Sequence, residues 1–156
     1  MAMYNKILVP VDGSHNANLA LDHALTLAEK FDSEVMIISA IDTRRISQYG
    51  FIEAHTNVLM DQIVEPMHES AKRHVEAAAD VAKQRGIKYT TLVVKGDPKT
   101  LIANDLSDEY DIDLIVMGKS GVDAITRITI GSTTAYVARH ATHNLLIISD
   151  DDADEN

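Results

Sequence analysis

Five short apolar runs divide the chain and constrain its fold more than any other feature. Each run has the length of a strand and is nearly continuous rather than alternating, which is typical of strands covered on both faces. The stretches between the runs have helical periodicity. Because crossovers between parallel strands are right-handed and place helices on both faces, this order predicts an α/β fold with one doubly wound parallel sheet. The runs are residues 7–11, 35–40, 90–94, 114–117 and 145–148.

Local signals predict where the helices begin and end. Ser14 precedes the first helical pattern and is a favoured N-cap residue. The second pattern covers residues 61–85, and Gly86 predicts its end. Asp97-Pro98 predicts the start of the third helix, because proline suits the first turn. A last helix is expected over residues 132–140.

The remaining segments define the domain and its connections. Residues 41–60 are polar and too numerous for a simple turn, so we expect a mobile connection that acts as a lid. Residues 1–149 are expected to form one domain, since a chain of 156 residues buries enough surface for a single core. Residues 150–156 are acidic and carry no large apolar side chain, which predicts a disordered tail.

Composition excludes several classes of protein. The chain has 24 acidic and 14 basic residues, a net charge of −10, which argues against nucleic acid as a partner. It contains no cysteine, so a thiolate metal site and a catalytic thiol are excluded and a reducing cytoplasmic location is expected. No stretch approaches the roughly 20 apolar residues of a membrane span, so membrane insertion is not expected.

A glycine-rich pattern follows the fourth predicted strand: Gly-x2-Gly, nine residues, then Gly-Ser-Thr. We expect the glycines to adopt left-handed conformations that let backbone N–H groups converge on an anion. The last helix opens at the same point and adds the positive end of its dipole. The alternative is that the glycines only make a turn and that Ser132 only caps the helix. The residues expected at phosphate are Gly118, Lys119, Ser120, Gly121, Arg127, Gly131, Ser132 and Thr133.

With the segment 10–14 after the first strand, this spacing resembles the ATP-binding branch of the universal stress protein family. The likeness covers nearly the whole chain, including residues 7–12, 95–98 and 113–118. It implies a Rossmann-like fold of the adenine nucleotide alpha hydrolase-like class, with strand order 3-2-1-4-5. Residues 145–148 would then form an apolar edge strand, and an exposed apolar edge favours pairing. A homodimer through the fifth strand is therefore expected, as is usual in the family.

The same strand order places the ligand where strands 1 and 4 lie side by side, since ligands of open α/β sheets bind at such a switch point. A triphosphate would repel the Asp12 carboxylate, so we expect Asp12 to face the base or the ribose. An Asx turn followed by a helix cap explains the same segment without a ligand. The resemblance implies that the ATP site, which would also take AMP or ADP, includes Pro10, Val11, Ala40, Ile41 and Met117. Mg²⁺ is expected to be held through the phosphates.

Functions of different classes fit these residues. The first is a nucleotide-dependent regulatory or stress-response module whose state is read by a protein partner. The second is a slow ATPase or nucleotide-handling enzyme; the Walker pattern of fast NTPases is absent, and no catalytic residue is identified. The third is a flavodoxin-like FMN binder, which the few aromatic residues disfavour. His140 and His143 are better explained by favourable interactions at a helix end than by a metal site.

Overall fold

The computed structural model describes residues 3–44, 57–120 and 130–150, with only the backbone described for residues 57–61. The strands are β1 (Lys6–Pro10), β2 (Glu34–Ile41), β3 (Tyr89–Lys95), β4 (Leu114–Gly118) and β5 (Asn144–Ile148). The helices are α1 (His15–Phe31), α2 (Asn57–Gln84), α3 (Pro98–Thr100), α4 (Leu106–Glu109) and α5 (Ser132–His140). A π-helical turn, Leu101–Asp105, joins α3 to α4.

The strands form one parallel sheet in the order β3-β2-β1-β4-β5, which confirms the predicted fold class and strand order. β1 lies at the centre, where Ile7 is paired with Val35 on one side and with Leu114 on the other. Asp113 joins the starts of β1 and β4, because its Oδ2 accepts hydrogen bonds from the backbone N–H groups of Asn5 (2.8 Å) and Lys6 (2.9 Å).

Two apolar layers cover the sheet. Ile7 and Val9 face the layer that contains α1 and α2, whereas Leu8 faces the layer that contains α4 and α5. This division follows from the alternation of side chains along a strand, and it explains why the buried residues of β1 are apolar on both faces of the sheet. The chain leaves β1 and β4 towards opposite faces, so a crevice opens at their carboxyl ends.

The predicted helix ends agree with the structure where a local signal marked them. The Ser14 hydroxyl accepts a hydrogen bond from the Ala17 N–H (3.2 Å), and Asp97 accepts one from the Lys99 N–H (3.0 Å). Gly86 follows α2 with a φ of +70°. Within the described residues, no helix has the length and apolar character needed to cross a bilayer.

The predicted lid over residues 41–60 was wrong at both ends. Ile41 is the last residue of β2, where it pairs with Lys95, and α2 already begins at Asn57. Among residues 62–84 of α2 the first buried side chain is Ala71, so the apolar pattern did not mark the preceding turns. Residues 45–56 lie outside the described part of the chain, as do residues 151–156 of the predicted tail. Asp150, the first residue of the predicted tail, is described, and its Oδ2 lies 3.6 Å from Nε2 of His15.

Candidate functional site

The first turn of α1 rests directly on the end of β4. A β-carbon placed on Gly118 would lie 2.7 Å from the backbone oxygen of Asn16, a separation too short for any side chain. Gly118 is therefore required by the packing of a helix on a strand. The prediction of a left-handed conformation was wrong for Gly118 and for Gly131, whose φ is −59°. Among the described glycines only Gly13, Gly86 and Gly96 have a positive φ.

Asn16 also ties α1 to the glycine motif through its side chain. Its Nδ2 donates a hydrogen bond to the Ser120 hydroxyl oxygen over 2.7 Å, and Ser120 is only 8% exposed. Ser120, predicted to contact phosphate, thus has its hydroxyl bonded to α1. The sequence did not identify Asn16, since this contact joins residues 104 positions apart.

The motif leaves the sheet and returns to the same point. The Gly131 N–H donates to the Lys119 carbonyl oxygen over 2.9 Å, and a β-carbon on Gly131 would lie 3.2 Å from Cα of Ser120. The Lys119 N–H in turn donates to the Ile148 carbonyl over 2.9 Å, which anchors the motif on β5. The two halves of the motif therefore lie in direct contact. Gly121 and Arg127, both predicted at phosphate, lie outside the described residues.

The helix that follows, α5, begins with an N-terminus that no side chain of the described residues caps. Gly131 is the N-cap residue, and Ser132 is the first helical residue, so the alternative that Ser132 caps the helix was wrong. Thr134 is buried, and its hydroxyl donates to the Gly118 carbonyl over 2.9 Å, which fixes α5 on β4. The N–H groups of Ser132 and Thr133 have no acceptor within the helix and lie at its positive end. This geometry suits an anion.

The segment after β1 forms an Asx turn, as the interpretation without a ligand predicts. Oδ1 of Asp12 accepts a hydrogen bond from the Ser14 N–H over 2.9 Å, and Gly13 adopts a φ of +80°. Asp12 also lines a cleft, so the turn orients a carboxylate at the crevice while it starts α1.

This cleft lies between the ends of β1 and β2 and one side of α2. Its volume is about 340 Å³, at the lower end of the roughly 300–1,000 Å³ typical of small-molecule sites. The walls combine apolar groups with a carboxylate, two hydroxyls and an imidazole. The lining residues are Asp12, Ser39, Ala40, Ile41, Pro66, Met67, Ser70, Ala71 and His74.

The structure brings three of the predicted nucleoside residues together in this cleft: Asp12, Ala40 and Ile41. Val11 and Met117 are each 5% exposed and pack in opposite core layers, while Pro10 is half-buried at the end of β1. The contribution of α2 was missed. Its only signal in the sequence was the pair of polar residues Ser70 and His74, spaced one helical turn apart beside the buried stripe.

Three further charged or metal-ligating side chains contact other residues. Arg44 pairs with Asp42 (2.9 Å) and Asp97 (3.2 Å), and the hydrogen bonds that its guanidinium donates to Asp42 raise the pKa of this group. The His140 ring packs on Tyr136 at a centroid distance of 4.2 Å, and His143 Nε2 lies 3.4 Å from Asp108. Residues 3–44, 57–120 and 130–150 contain no cluster of three or more side chains suited to hold a metal.

A parallel sheet of this order, with a cleft beside the end of β1 and the N-terminus of α5 following β4, defines a doubly wound α/β protein, a class in which ligands commonly bind at the carboxyl ends of the strands. The model of the Universal stress protein family matches residues 3–149. A putative universal stress protein of Staphylococcus aureus strain USA300 is 33% identical over 149 residues, covering 95% of this chain and 86% of that protein. The chain therefore belongs to the universal stress protein family.

Solved structures agree with this assignment. Universal stress protein UspA from Lactobacillus plantarum is 30% identical, with a TM-score of 0.77 and coverage of 93% of this chain and 97% of that one. A universal stress protein solved in complex with cAMP is 24% identical, with a TM-score of 0.64 and coverage of 94% and 97%. Because the cAMP complex is only 24% identical to this chain, its likeness shows the fold alone.

Proposed function

We propose that this protein is an ATP-binding regulatory module, which places the nucleoside of ATP in the cleft and the phosphates at the N-terminus of α5. The observation that carries the proposal is the start of α1, from its N-cap Ser14 to Asn16, which contacts both halves of the site. Ser14 bonds to Asp12 at the cleft, and Asn16 bonds to Ser120 beside Gly131. One rigid element thus joins a nucleoside-sized cleft to an anion-binding helix end.

Charge fixes the orientation of the ligand. The Asp12 carboxylate lies in the cleft and would repel a phosphate, whereas the α5 N-terminus presents N–H groups and a positive dipole. The base and ribose therefore occupy the cleft, beside Ala40 and Ile41, and the phosphates extend towards Lys119, Ser132 and Thr133. Mg²⁺ reaches the site bound to the phosphates, as it does in many nucleotide sites.

The proposed role is regulatory because the motif resembles neither a Walker loop nor a site with a positioned base. Bound ATP would stabilise one arrangement of the chain, which a protein partner in a stress response would read. We place the dimer contact of this module at the free edge of β5. The complex of a relative with cAMP is consistent with an adenine nucleotide. The ligand proposed here nevertheless rests on the residues of this chain.

Calorimetric titration with ATP, AMP and adenosine in the presence of Mg²⁺ tests the two halves separately. Ser132→Ala removes an exposed hydroxyl at the α5 N-terminus. We expect it to weaken ATP binding by about 1.5–3 kcal/mol, roughly tenfold or more, and to leave adenosine binding unchanged. Asp12→Ala should weaken all three ligands by a similar free energy. Thr142→Ala, an exposed hydroxyl beyond the other end of α5, is the matched control and should bind ATP normally.

The same samples distinguish a regulatory module from an enzyme. Retention of intact ATP without phosphate release over hours supports the module, whereas steady release would identify a slow ATPase. If Ser132→Ala changes ATP and adenosine binding equally, the phosphates do not lie at α5 and the proposed orientation is wrong.

A further inference from the structure

His74 of α2 has an unusual setting in the cleft. Its side chain is half-buried, lines the cleft together with Asp12, and packs against the backbone of Gly13. A β-carbon placed on Gly13 would lie 2.6 Å from Nε2 of His74 and 3.2 Å from its Cε1. A side chain at position 13 would displace the imidazole, and the φ of +80° also favours glycine there, so the Asx turn and the ring pack directly against one another.

The ring nitrogens are not used by the fold. Within the described part of the chain, His74 makes no hydrogen bond or ion pair. A half-buried imidazole gains stability from a hydrogen-bond partner, and the cleft is where a ligand would supply one. None of the described glycine-motif residues lines this cleft, so the group that His74 meets belongs to the base or the sugar rather than to phosphate.

The chemistry of the two polar groups favours one base. A carboxylate only accepts hydrogen bonds, whereas a neutral imidazole carries one N–H donor. Adenine offers the complement, an amino donor flanked by ring-nitrogen acceptors, while guanine places a carbonyl acceptor where adenine has the amino group. A guanine bound in the same orientation as adenine would set its carbonyl oxygen against the Asp12 carboxylate.

We propose that His74 is a specificity-determining residue of the nucleotide site. Its ring N–H donates to a ring nitrogen of adenine while Asp12 accepts from the neighbouring amino group, and the pair selects ATP over GTP. This inference rests on the proposed function, because it assigns a role within the same site.

The test compares ATP and GTP affinities of the wild type with those of His74→Phe, which keeps a flat ring and removes the donor. We expect ATP affinity to fall roughly three- to tenfold, and the preference for ATP over GTP to fall by a similar factor. His74→Gln, which retains an N–H donor, should recover part of both. His68→Phe is the matched control, since His68 is exposed on the same helix and does not line the cleft, and it should behave as wild type.

Two analogues identify the contacted atom. The analogues 7-deaza-ATP and 1-deaza-ATP each lack one ring nitrogen of adenine. The analogue that lacks the nitrogen contacted by His74 should bind the wild type and His74→Phe with equal affinity. Gly13→Ala, which displaces the ring, should reproduce the loss of selectivity. If the wild type binds ATP but His74→Phe keeps the full preference for ATP, or if both analogues are as sensitive to the substitution as ATP, this inference is overturned while the proposed function stands. If the wild type binds no adenine nucleotide, the proposed function fails as well.

Discussion

Gly118→Ala separates the structural role of the glycine motif from its role in binding. The new β-carbon would lie 2.7 Å from the Asn16 carbonyl oxygen and 2.8 Å from both its carbonyl carbon and its Cβ. Two of these atoms belong to the backbone of α1 and cannot be moved by a change of rotamer. The first turn of α1 must therefore shift away from β4.

The cost of such overpacking is typically about 1–3 kcal/mol. For a domain of this size each kcal/mol lowers Tm by roughly 2–4 °C, so we expect a decrease of about 2–12 °C. Ser132→Ala lies at the other end of the same motif on an exposed residue, and its effect on stability should stay within about 0.5 kcal/mol.

The assay is thermal and urea unfolding of the wild type and both variants without nucleotide, so that loss of ligand cannot lower the apparent stability. The expected pattern is a destabilised Gly118→Ala and a Ser132→Ala variant that unfolds as wild type but binds ATP weakly. A Gly118→Ala variant as stable as wild type would refute the packing argument and return Gly118 to a role at the ligand alone.

Two further predictions concern surface contacts. Arg85 bonds to Glu29 over 2.8 Å, and this hydrogen bond holds the pKa of Glu29 below its ordinary value of 4.5. The stability that the pair contributes is present above that value and is lost as the pH falls through the lowered pKa. Urea unfolding should therefore show a smaller difference in the free energy of unfolding between wild type and Arg85→Gln near pH 3 than near pH 7. An undiminished difference at the lower pH would contradict this origin. The proposed dimer is tested by light scattering. The wild type should be a dimer and Ile147→Lys a monomer or insoluble, because β5 ends the sheet and Leu146 is 37% exposed. A wild-type monomer at micromolar concentration would exclude the β5 contact.

The sequence predicted the features that depend on neighbouring residues. The five strands were visible because their apolar runs are continuous, and Ser14 and Asp97 marked helix starts because capping is decided within a few residues. The strand order came from the resemblance to the family and not from periodicity.

The features that the sequence did not reveal depend on contacts between distant segments. Asn16 meets Ser120, and His74 meets Gly13, only after the helices dock on the sheet. Gly118 was recognised as necessary, but for a conformational reason that the structure replaces with close packing. The π-helical turn was also unmarked; there the buried Ser107 hydroxyl donates to the Ile102 carbonyl over 2.8 Å, five residues back.

Native mass spectrometry of the wild-type protein in an equimolar mixture of ATP, GTP and FMN with Mg²⁺ distinguishes the candidate ligands in one experiment. We expect each chain to retain one ATP in preference to the other two ligands. Retention of FMN or GTP instead, or no ATP adduct at millimolar concentration, would contradict the assignment of the cleft and the α5 N-terminus as an ATP site.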